Sequence, residues 1–170
     1  MSVQKFLSQV AGQIREVIAT VTSAGAANAG QIPALNSSGL LDITLMPTGV
    51  GPDTIVVPSS EALLAGAFVN IWSNAGTTNA RNANATDTTK PAQGYVLSAV
   101  ASAGNATVFL SGENNVLTGL TVGSQYFLGA TAGLATTTAP SATGNNLQSV
   151  GYAISATTIQ FQPAVPIQLA

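Results

Sequence analysis

The chain has 170 residues, no cysteine, no histidine and a formal net charge of −2. This composition excludes disulfides and thiolate metal sites, and it removes the usual general base and the usual thiol nucleophile. Only four basic and six acidic residues are present, 6% of the chain, against an average near ~25%. Lys5, Arg15, Arg81 and Lys90 are scattered, whereas phosphate backbones are bound by clustered Lys and Arg, so no nucleic-acid partner is expected.

Residues 1–23 predict a helix. Val3, Leu7, Val10, Ile14, Val17 and Val21 alternate spacings of four and three, a repeat of about 3.5 residues. Phe6 and Ile18 widen the stripe, while Gly12 costs a helix about 1 kcal/mol. Two readings stay open. One is an amphipathic helix lying on its own domain or on a partner. The other is a short parallel coiled coil between identical chains, where branched seam residues are compatible with three strands. The apolar residues from Val3 to Val21 are interrupted by Gln, Ser, Arg and Glu, so no signal peptide is expected there. No stretch of the chain approaches the ~20 apolar residues of a membrane span, and no membrane partner is expected.

Next comes a small-residue run, Ser23 to Gly30, followed by QIPALNSSGLLDITLMPTGVGP with Pro33, Pro47 and Pro52 punctuating it. Leu35, Leu40, Leu41, Ile43, Leu45 and Met46 are too many apolar residues for a free linker. The segment is expected to lie extended on a sister subunit or another protein. The texture changes at Thr54, which divides an arm (1–53) from a globular domain (54–170).

From there, short strands are predicted: TIVV, AFVNIW (67–72), GYVLSAVA (94–101), NATVFLSG (105–112), SQYFLGA (124–130), GLATTT (133–138), LQSVGYAIS (147–155) and TTIQFQP (157–163). Each is β-branched or aromatic and bounded by Gly, Asn, Ser or Pro. Ala103-Gly104 and Ala132-Gly133 read as hairpin tips, and the terminal PAVPIQLA as an apolar tail that docks. The expected fold is mainly β: an N-terminal helix and extended arm followed by a small antiparallel β-sandwich or barrel domain. With 46% apolar residues the chain does not read as disordered. Its uncharged, Thr/Asn/Gly-rich texture is one shared by β-rich shell and fibre proteins.

Catalytic chemistry is not expected. Glu16, Asp42, Asp53, Glu61, Asp87 and Glu113 form no closely spaced pair, so a carboxylate dyad would have to be assembled wholly by the fold. There is no phosphate loop, dinucleotide fingerprint, serine elbow or Asp-rich calcium loop, and no cofactor or metal is expected. Asn-x-Ser/Thr at Asn36, Asn84 and Asn105 is a chance pattern in an Asn- and Thr-rich chain. Trp72, at the end of an alternating strand, is expected in the core. As a sugar platform it would join Tyr95, Tyr126 and Tyr152.

Read as motifs, the chain from residue 24 onward resembles the head-fibre and capsid-decoration (cement) proteins of tailed bacteriophages. The likeness lies in SAGAANAGQIPALNSSGLLDITLMPTGVGPD, above all LLDITLMPTGVG (40–51), and in SSEALLAGAFVNIW (59–72). KPAQGYVLSAVASAGNATVFLSG (90–112), GLTVGSQYFLG (119–129) and VGYAISATTIQFQP (150–163) continue it. Residues 3–21 carry no pattern of that family. The resemblance implies a virion structural protein, a homotrimer on the outer capsid surface that stabilises it. The arm would engage sister copies and the major capsid protein through Val3, Leu7, Val10, Ile14, Val17, Val21, Leu35, Leu40, Leu41, Ile43, Leu45 and Met46. The alternative is a tail-fibre or receptor-binding module recognising a host surface glycan. A small esterase or glycosidase is a third, remote reading.

Overall fold

The structure is a computed structural model that describes residues 5–47 and 50–170, with the Val10 side chain outside the description. The chain divides into two units, Met1–Gly51 and Pro52–Ala170.

The first unit overturns the expected helix. Strand β1 (Lys5–Val10) pairs antiparallel with β2 (Gln13–Ile18), Val10 opposite Gln13 and Lys5 opposite Ile18. Ala11 and Gly12 both have positive φ, 52° and 78°. That is the two-residue primed turn whose twist matches the flanking strands. Gly12, a defect in a helix, is thus the residue on which the chain reverses. The branched Ile14, Val17 and Ile18 lose χ1 freedom in a helix and suit a pleated strand. The seven-residue stripe is dissolved. By strand alternation Leu7, Ile14 and Ile18 share one face, and Phe6 and Val17 the other. A coiled-coil seam from Val3 to Val21 does not exist in this fold, and Val3 itself lies outside the described residues.

Backbone hydrogen bonds hold the rest of this unit. The Thr20 amide donates to the Ile32 carbonyl (2.9 Å) and the Ala34 amide to the Thr20 carbonyl (2.8 Å), forming a parallel bridge. Among the described residues helix is confined to two short 3₁₀ turns, Gly25–Asn28 and Ile43–Leu45. Asp42 caps the second by accepting from the Thr44 amide (3.0 Å) and hydroxyl (2.6 Å). Thr44 Oγ1 in turn accepts from the Ser23 amide at 2.8 Å, tying the two ends of the segment together.

The second unit is built of antiparallel sheets, as expected. One sheet contains β3 (Thr54–Pro58), β4 (Phe68–Asn74), β5 (Thr77–Asn82), β6 (Gly94–Tyr95) and β7 (Asn105–Phe109), in the order β3-β7-β6-β4-β5. The other contains β8 (Gly112–Asn114), β9 (Gln125–Leu128), β10 (Ala135–Thr136), β12 (Ser149–Ala153) and β13 (Ile159–Phe161), in the order β10-β9-β12-β13-β8. A short pair joins β11 (Asn146–Leu147) to β14 (Ile167–Gln168). The two sheets face each other in a sandwich-like arrangement. Phe68 and Tyr95 from the first meet Phe161 from the second at 5.7 and 5.4 Å, with Leu128, Val150 and Ile159 around them.

Strand alternation gives the first sheet a second buried face. Val57, Val69, Ala80, Ala106 and Val108 pack there with Leu63, Ala67 and Val96. The sheet curls to make this possible. Past Pro58 the chain forms a parallel bridge from Ser59 to Ala80, and the Ser60 amide donates to the Ala80 carbonyl (2.9 Å), drawing edge strands β3 and β5 together. The fold is therefore mainly β and sandwich-like, with one of its sheets curled.

Several local expectations change. Of GYVLSAVA only Gly94–Tyr95 is strand; farther on, Val100 bridges to Leu63. Strand β5, the polar TTNARN, follows a second Ala-Gly primed turn at Ala75 and Gly76. Gly133 lies in the β9–β10 connection and Ala103-Gly104 in the longer β6–β7 connection, where it also hydrogen-bonds to Ser59. Gly151 sits at a register shift with φ 134°, where a Cβ would lie 1.9 Å from the Gln160 carbonyl oxygen, so no other residue fits. The tail docks by backbone pairing through β14, while Val165 and Ile167 remain exposed.

Candidate interaction surface

In the first unit the apolar side chains lie outside rather than inside. Among the described residues Ala34 is its buried apolar one, and Leu7, Ile14, Val21, Leu35, Leu40, Leu41, Ile43 and Met46 are all exposed, with Leu7 at 72% and Ile14 at 75%. Val17 and Leu45 are half-buried. Val10 closes β1, and Val3 is outside the described residues. The structure brings Leu7 and Ile14 to one hairpin face. It places Leu40 and Leu41 beyond a tight loop in which Asn36 Oδ1 accepts from the Ser38 (2.9 Å) and Leu40 (3.1 Å) amides. Ile43 packs where a Cβ on Gly51 would lie.

Ile18, Ile32 and Val50 are equally exposed and were missed as interface candidates. Ile18 already widened the sequence stripe, and Ile32 precedes Pro33 within the arm; their signal was position within the segment, not periodicity. The surface is almost uncharged. Lys5 Nζ pairs with Glu16 Oε2 at 2.7 Å on the Leu7 face, and Arg15 donates to Gln13 Oε1 at 3.1 Å. The Asp42 carboxyl is held below its ordinary value by the Thr44 hydroxyl and amide.

The second unit uses its polar side chains to brace its own loops. Arg81 donates to Asn70 Oδ1 (2.9 Å) and the Thr89 carbonyl (2.7 Å). Glu61 accepts from the Asn82 amide at 2.6 Å. Asp87 accepts from the Thr89 amide and hydroxyl and lies 3.5 Å from Lys90, contacts that lower its pKa. Gln148, buried, takes a hydrogen bond from the Ala92 amide and gives two, to the Ala92 and Ala164 carbonyls. Three surface grooves of about 480, 410 and 310 Å³ are lined by small polar and apolar residues, with no charged side chain among the linings.

The aromatic candidates for a sugar platform mostly fall away. Trp72 is half-buried, with the Arg81 guanidinium 4.5 Å over its ring and its Nε1 donating to Ser60 Oγ at 3.3 Å. Tyr95 is buried, which raises its pKa, with Glu113 adding to the effect. Tyr126 is also buried and accepts from the Thr121 amide at 2.9 Å. Tyr152 alone of the four is exposed, on the outer face between Gln125 and Gln160.

No protein-family model, curated protein or solved structure matches the chain.

Proposed function

We propose that the chain is a virion structural protein that decorates the outer surface of a tailed-phage capsid as a homotrimer. The first unit binds sister copies and the major capsid protein, and the β unit faces outward. One observation carries this reading: both buried apolar clusters lie in the second unit, whereas the described Leu, Ile and Met side chains of the first unit are exposed, Leu45 excepted, and gather into no core. Exposed apolar side chains that share one face, as Leu7, Ile14 and Ile18 do, favour an interaction site. The sequence likeness to capsid-decoration proteins supplies the kind of partner. Each side chain buried on attachment contributes about 2 kcal/mol before ordering costs, and repetition around a shell multiplies the effect.

The test is co-sedimentation with undecorated capsids at low and roughly molar salt. Full-length protein is expected to bind at both, since screening acts on ion pairs and not on apolar burial. Residues 52–170 alone are expected not to bind. Binding by that fragment, or release of the full chain by salt, refutes the reading. A tail-fibre or receptor-binding module that recognises a host glycan is the second reading, supported by Tyr152 between two glutamines. Loss of host-cell binding by Tyr152→Ala in a chain that does not sediment with capsids would favour it.

A further inference from the structure

We propose that the β1–β2 hairpin pairs edge to edge and head to tail with the hairpins of two other copies of this chain, closing a six-stranded antiparallel ring. This rests on the homotrimeric reading above and specifies how the trimer is built.

The two-residue turn fixes which backbone groups are free. Val10 and Gln13 flank it and exchange hydrogen bonds, and alternation then pairs Ser8 with Arg15 and Phe6 with Val17 in the same way. The backbone groups of Lys5, Leu7 and Gln9 on β1, and of Ile14, Glu16 and Ile18 on β2, therefore point away from the hairpin. Among the described residues no strand pairs with either outer edge. These six residues also share one face, where Leu7, Ile14 and Ile18 are 72%, 75% and 59% exposed. A two-stranded hairpin with two open edges is marginal in water and is a template for added strands.

Area and charge select the occupant and the geometry. Three Leu and Ile side chains supply roughly 200 Å² of apolar surface, well short of the ~800 Å² per partner of a stable interface. Face packing alone is insufficient, and the backbone edges must take part. Antiparallel pairing of two β2 edges centred on Glu16 would set the two carboxylates opposite each other, and pairing of two β1 edges centred on Leu7 would set Lys5 opposite Gln9 with no opposite charge beside it. Pairing β1 with the β2 of the next copy sets Lys5 near Glu16 instead, and opposite charges on adjacent strands are favourable. A like-strand dimer leaves an open edge on each copy. A head-to-tail contact that closes leaves none, and closure by rotation gives a ring.

The chain has no cysteine, so single-cysteine variants report contacts between copies without background. One set carries Lys5→Cys, Leu7→Cys or Gln9→Cys; the other carries Ile14→Cys, Glu16→Cys or Ile18→Cys. Full-length chains from the two sets are refolded together in all nine pairings and mildly oxidised. Light scattering on the unsubstituted protein is expected to give three times the 16.9 kDa chain mass. At least one mixed pairing is expected to yield more mixed disulfide than either homodisulfide. A monomer at tens of micromolar overturns the proposal, as does an excess of homodisulfides or the absence of any mixed product. A trimer without mixed disulfides sinks the ring and leaves the decoration reading standing. A crosslinked ring that fails to bind capsids does the reverse.

Discussion

The two units draw on one sparsely charged alphabet and reach opposite outcomes. In the second, alternation turns apolar residues inward: Ala106 and Val108 of β7 are buried while their strand neighbours Asn105 and Thr107 are exposed. Two faces of one sheet and one face of another share the load. In the first, Leu40, Leu41 and Ile43 lie in a segment with no paired strand to cover them, and hydrogen bonds such as Thr20 to Ile32 set the shape. A segment whose form comes from backbone bonds keeps its apolar side chains available for a partner. A segment whose form comes from burial does not.

The broadest test separates the units outright. Residues 52–170 expressed alone should unfold in urea at the same midpoint as the β unit of the whole chain, because its core residues all come from within that fragment. A fragment that is molten, or whose midpoint falls markedly, would show that the first unit completes the core. Next comes the contrast of single truncations. Phe161→Ala removes the ring that meets both Phe68 and Tyr95, and should cost about 3–5 kcal/mol in urea unfolding. Leu41→Ala, at an exposed site, should stay within about 0.5 kcal/mol. Equal losses at the two positions would erase the distinction.

A buried amide sharpens the same contrast on the polar side. Gln148→Ala leaves the Ala92 amide and the Ala92 and Ala164 carbonyls short of partners, and should cost about 1–3 kcal/mol. Gln13→Ala, whose side chain accepts from exposed Arg15, should be near neutral by the same measurement. A neutral Gln148→Ala would mean that water enters and replaces the amide.

What was legible in the sequence follows the same division. TIVV, AFVNIW and NATVF read as strands because they are rich in β-branched and aromatic residues and bounded by turn-forming ones. TTNARN did not, because β5 owes its place to β4 and the turn at Ala75-Gly76. Residues 5–18 misled because spacings of four and three are also met by residues falling on both faces of a hairpin. The decisive residue was Gly12, and nothing in the periodicity says that a glycine will take φ of 78° rather than interrupt a helix. The Ala-Gly pair at Ala103-Gly104 does lie in the connection between the antiparallel strands β6 and β7, but in a long loop and not a two-residue turn. The exposure of Leu35, Leu40, Leu41, Ile43 and Met46 was legible in outline, since apolar residues between prolines cannot build a core. Ile18, Ile32 and Val50 were not singled out, because exposure depends on which face the fold turns outward.

The smallest effect concerns a motif that the units share. Asp42-Ile43-Thr44 and Asp87-Thr88-Thr89 each fold so that the aspartate accepts from the threonine amide and hydroxyl two residues on. Both carboxyls are thereby held below the ordinary value of 3.8, by the threonine hydroxyl first and its amide second. A lowered folded value means that the ionised form is favoured in the folded chain. The contribution is present above pH 3.8 and is lost as pH falls through the lower folded value. Following the Thr44 and Thr89 amide resonances through an acid titration should give midpoints below 3.8 at both sites. Salt should separate them: Asp87 also feels Lys90 at 3.5 Å, and that charge is screened, whereas Asp42 depends on hydrogen bonds alone. Raising salt should therefore move the Asp87 midpoint upward and leave that of Asp42 in place. Equal shifts at the two sites would show that a charge outside the motif also acts on Asp42.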